Sequence, residues 1–167
     1  LGQILAENSV SLGEITITRI HYGGGGDWYC DPSSLPNLLN FIKQNTNIAI
    51  DTNDRSARIG DDTFYSSPYL YLTGHGNIKF TDTEAQILRD HLITGAFLHA
   101  DDNSGMDKSF RREMKKVFPE SDWVELPNTH EIFNIFYSFP DGLIKVHEHD
   151  NKRPQALGLF YKKQLVV

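Results

Sequence analysis

The sequence predicts a single α/β domain: a three-layer sandwich, flavodoxin-like in strand order, with a mostly parallel sheet and a C-terminal antiparallel hairpin. Three observations predict it. Short β-branched or aromatic runs alternate with amphipathic segments over the first two-thirds of the chain, the pattern of strands joined by crossover helices. The apolar runs end in glycine-rich or acidic segments, "HYGGGGDWYC", "LTGHG" and "LHADD". A chain of 167 residues is long enough to bury one core of its own.

Each element follows from local pattern. Residues 1–13 form an N-terminal extension. In "EITITRIHY", Ile15 and Ile17 share a face opposite the threonines, which predicts a first strand running into the glycines. In "DPSSLPNLLNFIKQN", Leu35, Leu38, Leu39 and Ile42 fall at helical spacing, with Ser33 or Ser34 available as a cap and Pro36 suited to the first turn. "TNIAI" predicts the second strand and "PYLYLTGHG" the third. The helix in "TDTEAQILRDHLITG" has Thr81 and Glu84 at capping-box spacing and Gly95 as its stop. "AFLHA" predicts the fourth strand, followed by a polar loop "DDNSG". "MDKSFRREMKKVFP" places Met106, Phe110, Met114 and Val117 on one helical face. Strands near "WVELP", "LIKVHEH" and "ALGLFYK" follow, with "QLVV" as hairpin partner of the last.

Composition excludes several classes. The net charge of −6 and pI near 5.6 leave no basic field for nucleic acid or anionic lipid. No apolar run approaches the roughly 20 residues that span a bilayer. A single cysteine, Cys30, rules out an internal disulfide framework. The chain opens on Leu1, which points to processing upstream, with a removed signal peptide as one source.

The predicted order also locates a site. In open parallel sheets, ligands bind beyond the carboxyl ends of the strands, where the strand order reverses. That edge gathers Gly24, Gly25, Gly26, Asp27 and Trp28 after the first strand, His75 after the third, and Asp101 and Asp102 after the fourth. The glycine run is neither a dinucleotide fingerprint nor a Walker loop, because the third glycine and the G-K-[ST] are missing. It either contacts a ligand through backbone amides or is a turn that needs positive φ. His75 stands between two glycines, free to project. A Cys30–His75 pair is conceivable, but inert packing is the commoner fate of a lone cysteine. Asp101 and Asp102 either pair with Arg111 and its neighbours or orient a polar ligand. In "KVHEHD", His147 and His149 share one face of an extended segment, a spacing used for zinc or iron, with His75 or Asp101 as third ligand; short His/Glu clusters also form plain surface hydrogen bonds. No G-x-S-x-G elbow is present.

Taken together, "GGGGDWYCDPSSLPNLL", "PYLYLTGHG", "LRDHLITGAFLHADD", "FRREMKKVFP" and "HEHDNKRPQALGLFY" resemble an uncharacterised bacterial family known only as a numbered domain of unknown function, from about Arg19 to Val167. The resemblance implies the class I glutamine amidotransferase-like fold, and a periplasmic or envelope location, with the cytoplasm as alternative. It also implies a further acidic, aromatic segment beyond "QLVV". Glutaminases of that fold carry a cysteine in a strand-to-helix elbow, where this chain has His75 and Asp101, so a glutaminase mechanism is not expected.

Three functions compete on these grounds. The first is a module binding a small polar, carbohydrate-like ligand or a protein partner, with Gly24, Gly25, Gly26, Asp27, Trp28, Asp101, Asp102 and Arg111 making the contacts. The second is a hydrolase, metal-assisted or with an acid/base pair alone, in which His75 and Asp101 handle protons and His147 and His149 bind a divalent metal or orient the substrate. The third is a scaffold in an envelope assembly. The first needs no cofactor.

Overall fold

Parallel strands need crossovers, and each crossover here is built by a segment whose apolar face points back at the sheet. The computed structural model describes residues 13–145 and 153–167. Strand β1 (Ile17–Ile20) leads into helix α1 (Ser34–Asn45), β2 (Arg55–Ala57), the short helix α2 (Asp62–Tyr65) and β3 (Tyr69–His75). Helix α3 (Asp82–Ile93), β4 (Phe97–Ser104) and helix α4 (Asp107–Val117) follow. These strands form a four-stranded, all-parallel sheet in the order β2-β1-β3-β4. β1 and β3 are neighbours whose crossovers leave in opposite directions, which makes their carboxyl ends the point where the strand order reverses.

Strand alternation divides the sheet between two cores. On one face Ile17 and Tyr71 pack with Leu35 and Leu39 of α1 and with Ile50. On the other, Ile20, Leu70, Leu72 and Leu98 pack with Phe64 of α2, Leu88 and Leu92 of α3, and Phe110, Met114 and Val117 of α4. Both faces of β3 are covered, which is why "YLYL" reads as continuously apolar. Helix α3 starts on the predicted capping box: Thr81 Oγ1 accepts from Glu84 N at 3.1 Å, and Glu84 Oε2 accepts from Thr81 N at 2.7 Å. Gly95, at φ +119, ends the turn that follows the helix.

The C-terminal third is antiparallel. β5 (Val124–Glu125) pairs with β6 (Leu157–Gly158), and β7 (Phe160–Tyr161) with β8 (Gln164–Leu165). The β7–β8 loop is Lys162-Lys163, with φ +54 and +107, the handedness a two-residue hairpin requires. Leu98 N of β4 donates to Val166 O at 3.0 Å, fastening the chain's last residues to the main sheet.

Several elements differ from the sequence expectation. "TNIAI" contributes a single Ile15–Ile50 bridge, and the second strand is instead "RSA", an edge strand bonded to β1 alone. The polar "DDNS" is the end of β4, because pairing with β3 continues through it. Ser33 makes no side-chain cap on α1. Residues 143–145 carry no regular structure, and the remainder of the expected "LIKVHEH" strand lies outside the described residues. Among the described residues, no helix is long and apolar enough to cross a membrane.

Candidate functional site

The glycine run is where the loops after β1 and β3 meet, and backbone contact governs it. Gly26 N donates to Asn77 O at 3.0 Å, Asp27 N to His75 O at 3.3 Å, and Lys79 N to Gly23 O at 2.9 Å. The Asn77 side-chain amide donates to Gly24 O at 2.9 Å. The two loops therefore lie backbone against backbone. A Cβ on Gly24 would stand 2.7 Å from Lys79 N, and one on Gly26 would stand 2.7 Å from His75 O. Gly24 also has φ +106. Close approach and handedness account for these two glycines; a Cβ on Gly25 would meet nothing within 4 Å, although its φ is +91.

Zipping the loops together presents Asp27 to His75. One Asp27 oxygen accepts the His75 backbone N–H, and the other lies 3.0 Å from His75 Nδ1. The backbone N–H of His75 above all, then its ring, holds the Asp27 carboxyl below the ordinary carboxylate range. Beneath them Tyr22 donates its hydroxyl to Thr73 O at 3.2 Å; burial, seconded by the Asp27 charge, pushes that phenol up to about 12. Trp28 turns away to stack on His21, ring centroids 4.1 Å apart.

Cys30 joins this pair. A turn closed by Cys30 N to Asp27 O at 2.8 Å puts both side chains on one side of the loop. Donor atoms of Asp27, Cys30 and His75 all lie within 4.8 Å of one another. The turn is clamped from below by Arg19, 4% exposed, whose guanidinium donates to Cys30 O at 2.6 Å, Asp31 O at 3.2 Å and Ser34 Oγ at 3.2 Å. Asn103 reaches the same group because of an irregularity in β4. Asp102 pairs with Gly74 and Ser104 with His75, leaving Asn103 as the extra residue of a bulge. Its amide donates to Cys30 Sγ at 3.3 Å, to Thr73 Oγ1 at 3.3 Å and to an Asp31 carboxylate oxygen. Burial foremost holds the Cys30 thiol above its ordinary range. Cys30 is thus a hydrogen-bonded, half-buried member of the strand-end cluster, in contrast to the inert packing expected of it.

Asp101, Asp102 and Arg111 belong to a second place, a cleft of about 690 Å³ running along β4. Its walls include His99, Asp101, Arg111, Trp123, Phe133 and Phe139. Asp102 is engaged at the start of α4, accepting Met106 N at 2.9 Å and Asp107 N at 3.0 Å, and so caps that helix. Arg111 pairs with Asp107 at 2.7 Å and lies over the Trp123 ring, 5.3 Å from its centroid. The Asp101 carboxylate makes no hydrogen bond among the described residues, and the residue lines the cleft with His99. His99 is open to water on one side, yet it sits deep enough in the concavity that desolvation holds its imidazole below the usual value, with the Asp101 charge partly opposing. Tyr69 Oη lies 3.1 Å from His99 Nδ1 and fixes that ring. Gly24, Gly25, Gly26, Asp27, Trp28 and His75 do not line this cleft. An adjoining cavity of about 480 Å³ has Glu125, Asp141 and Arg153 as charged walls, and Glu125 and Arg153 pair with each other.

The single expected site therefore resolves into two neighbouring groups, bridged by Thr73 and Asn103. His147 and His149 lie outside the described residues. Sequence reasoning missed Arg19, His99, Asn103 and Trp123. The signals for them were slight: a charge inside the β-branched run "TITRI", and a polar strand end.

The architecture and the strand-end residues define a mixed α/β domain with polar groups gathered at the carboxyl end of a parallel sheet. Residues 16–167 match the model of a family described as a domain of unknown function, DUF4159, and the chain belongs to that family. No curated protein matches the chain.

Proposed function

We propose that the domain is a binding module for a small polar ligand of carbohydrate-like class, taken into the cleft along β4. The observation that carries this reading is the lining of that cleft. It combines an unengaged carboxylate (Asp101), an imidazole held by Tyr69 (His99) and an indole backed by a guanidinium (Trp123 and Arg111). An aromatic face takes the C–H face of a sugar, while carboxylate and imidazole take its hydroxyls. A volume of about 690 Å³ suits a ligand of one to a few rings. The β2-β1-β3-β4 order supports the finer reading of the sheet as flavodoxin-like, of the class I glutamine amidotransferase-like type.

The test is a titration of the protein with a panel of neutral and acidic oligosaccharides, followed by thermal shift and calorimetry. At least one class stabilises the wild type saturably. Asp101→Asn and Trp123→Ala each weaken that binding by about 10-fold or more, the loss of one charge-assisted hydrogen bond or one stacking face. A panel that binds nowhere, or variants that bind as the wild type does, would count against the proposal.

A further inference from the structure

We propose that Asp27, Cys30 and His75 form a mononuclear binding site for a zinc-class divalent metal where the loops after β1 and β3 meet. The inference is independent of the cleft along β4, and neither stands or falls with the other.

The donor set comes first. A thiolate, an imidazole and a carboxylate together are the N, O and S ligands that zinc takes at bond lengths of about 2.0–2.3 Å, whereas calcium and magnesium favour oxygen alone. Tetrahedral coordination at those lengths sets donors about 3.4–3.6 Å apart. The three donor atoms lie within 4.8 Å of one another, and Asp27 Oδ2 to His75 Nδ1 is already 3.0 Å. Side-chain rotations of about 1 Å close the set on an ion of that size.

Placement comes second. The residues arrive from two loops that are held independently of any metal. The Asp27–Cys30 turn is clamped by the Arg19 guanidinium, and the main chain of the His75–Asn77 loop is zipped to Asp27, at His75, and to Gly26, at Asn77. The Asn103 amide donates to Cys30 Sγ, the type of outer hydrogen bond that orients a metal-binding thiolate. Pre-formed backbone of this kind lowers the ordering that metal binding must impose.

Openness comes third. The His75 side chain is 49% exposed and that of Asp27 34% exposed, so the group is reachable from solvent. Three protein donors leave a coordination position for water, the arrangement of zinc sites that carry out chemistry. On binding, the Cys30 S–H bond breaks, its proton passes to solvent, and the sulfur lone pair forms the metal–sulfur bond. The site needs neither His147 nor His149, whereas the site expected on those two histidines would draw on His75 only as one choice of third ligand.

Cobalt(II) is the probe, because a thiolate ligand gives it a near-ultraviolet charge-transfer band. Cys30 is the chain's single cysteine, so such a band has one possible source. The wild type takes up one equivalent with the band, and zinc displaces it. Cys30→Ser, nearly isosteric, abolishes the band, and Asp27→Asn and His75→Gln weaken uptake by at least about 100-fold. Asn103→Ala weakens it by about 10–100-fold. The His147→Ala, His149→Ala double variant keeps both band and stoichiometry. A second readout needs no variant: zinc slows alkylation of Cys30 by iodoacetamide in the wild type. Absence of the band in the wild type, its survival in Cys30→Ser, its loss in the double histidine variant, or alkylation indifferent to zinc would each overturn the proposal.

Discussion

Alanine substitutions along the glycine run test whether backbone packing shapes the loop. Gly25→Ala meets no neighbour but sits at φ +91, so it carries the left-handed penalty of about 1–2 kcal/mol, partly offset by a stiffer unfolded chain. Gly24→Ala adds to the same penalty a Cβ 2.7 Å from Lys79 N and 2.9 Å from Asn77 O. Both are backbone atoms that cannot rotate away, which brings the total to about 2–5 kcal/mol. Gly26→Ala has no φ penalty but meets His75 O at 2.7 Å and Asn77 O at 2.9 Å, for about 1–3 kcal/mol. The expected order of damage is therefore Gly24, then Gly26, then Gly25. Urea unfolding at neutral pH measures it, with amide exchange at Asp27 and Lys79 reporting the zipper directly. If Gly24→Ala unfolds no more easily than Gly25→Ala, the loops are not held together as described. A loop built only to present amides to an anion predicts three substitutions of similar, small effect.

Other outcomes follow from the polar anchors. The Glu113 side chain, 1% exposed, accepts from Phe80 N at 2.9 Å, Lys116 at 2.7 Å and Arg112 at 2.7 Å, so Glu113→Ala destabilises by about 3–5 kcal/mol in chemical unfolding. Burial raises the Glu113 carboxyl, but it lies just beneath the surface, and Lys116, the Phe80 amide and Arg112 outweigh that cost and lower it overall. Its contribution is therefore complete above the ordinary carboxylate pKa and is lost as pH falls through the lowered value; Glu113→Gln flattens that acid limb. Asp102→Ala leaves the first amides of α4 uncapped, at about 0.5–2 kcal/mol, whereas Asp102→Asn retains most of the stability. The His99 imidazole titrates by NMR below its ordinary value, and Asp101→Asn moves it lower still by removing the opposing charge. A midpoint that rises in Asp101→Asn would contradict the placement of that carboxylate.

Where information was local, the sequence was readable. Thr81 and Glu84 announce the start of α3 because a capping box is complete within four residues. "YLYL" announces a strand covered on both faces because apolar side chains stand at consecutive positions. The strand-end location of Asp27, His75 and Asp101 followed from topology, since parallel strands deliver their loops to one edge. What depended on register was not readable. The bulge that aims Asn103 at Cys30 exists because β4 slips by one residue against Gly74 and His75. The approach of Cys30 to His75 depends on two glycines meeting a backbone some 50 residues away. Arg19 looks like a solvated charge in the run "TITRI", yet it is buried because the carbonyls of Cys30 and Asp31 turn inward to meet it. "RSA" escaped notice because an edge strand bonded on one side needs little hydrophobicity.

The central claim is that the cleft along β4, not the glycine loop, receives the ligand. Chemical-shift mapping with the oligosaccharide panel tests it most directly. Saturable shifts centred on His99, Asp101, Arg111 and the Trp123 indole, with Gly24, Gly25 and Gly26 unmoved, are the predicted result. Shifts centred on Gly24–Trp28 with the Trp123 indole silent, or no saturable shift anywhere, would contradict it.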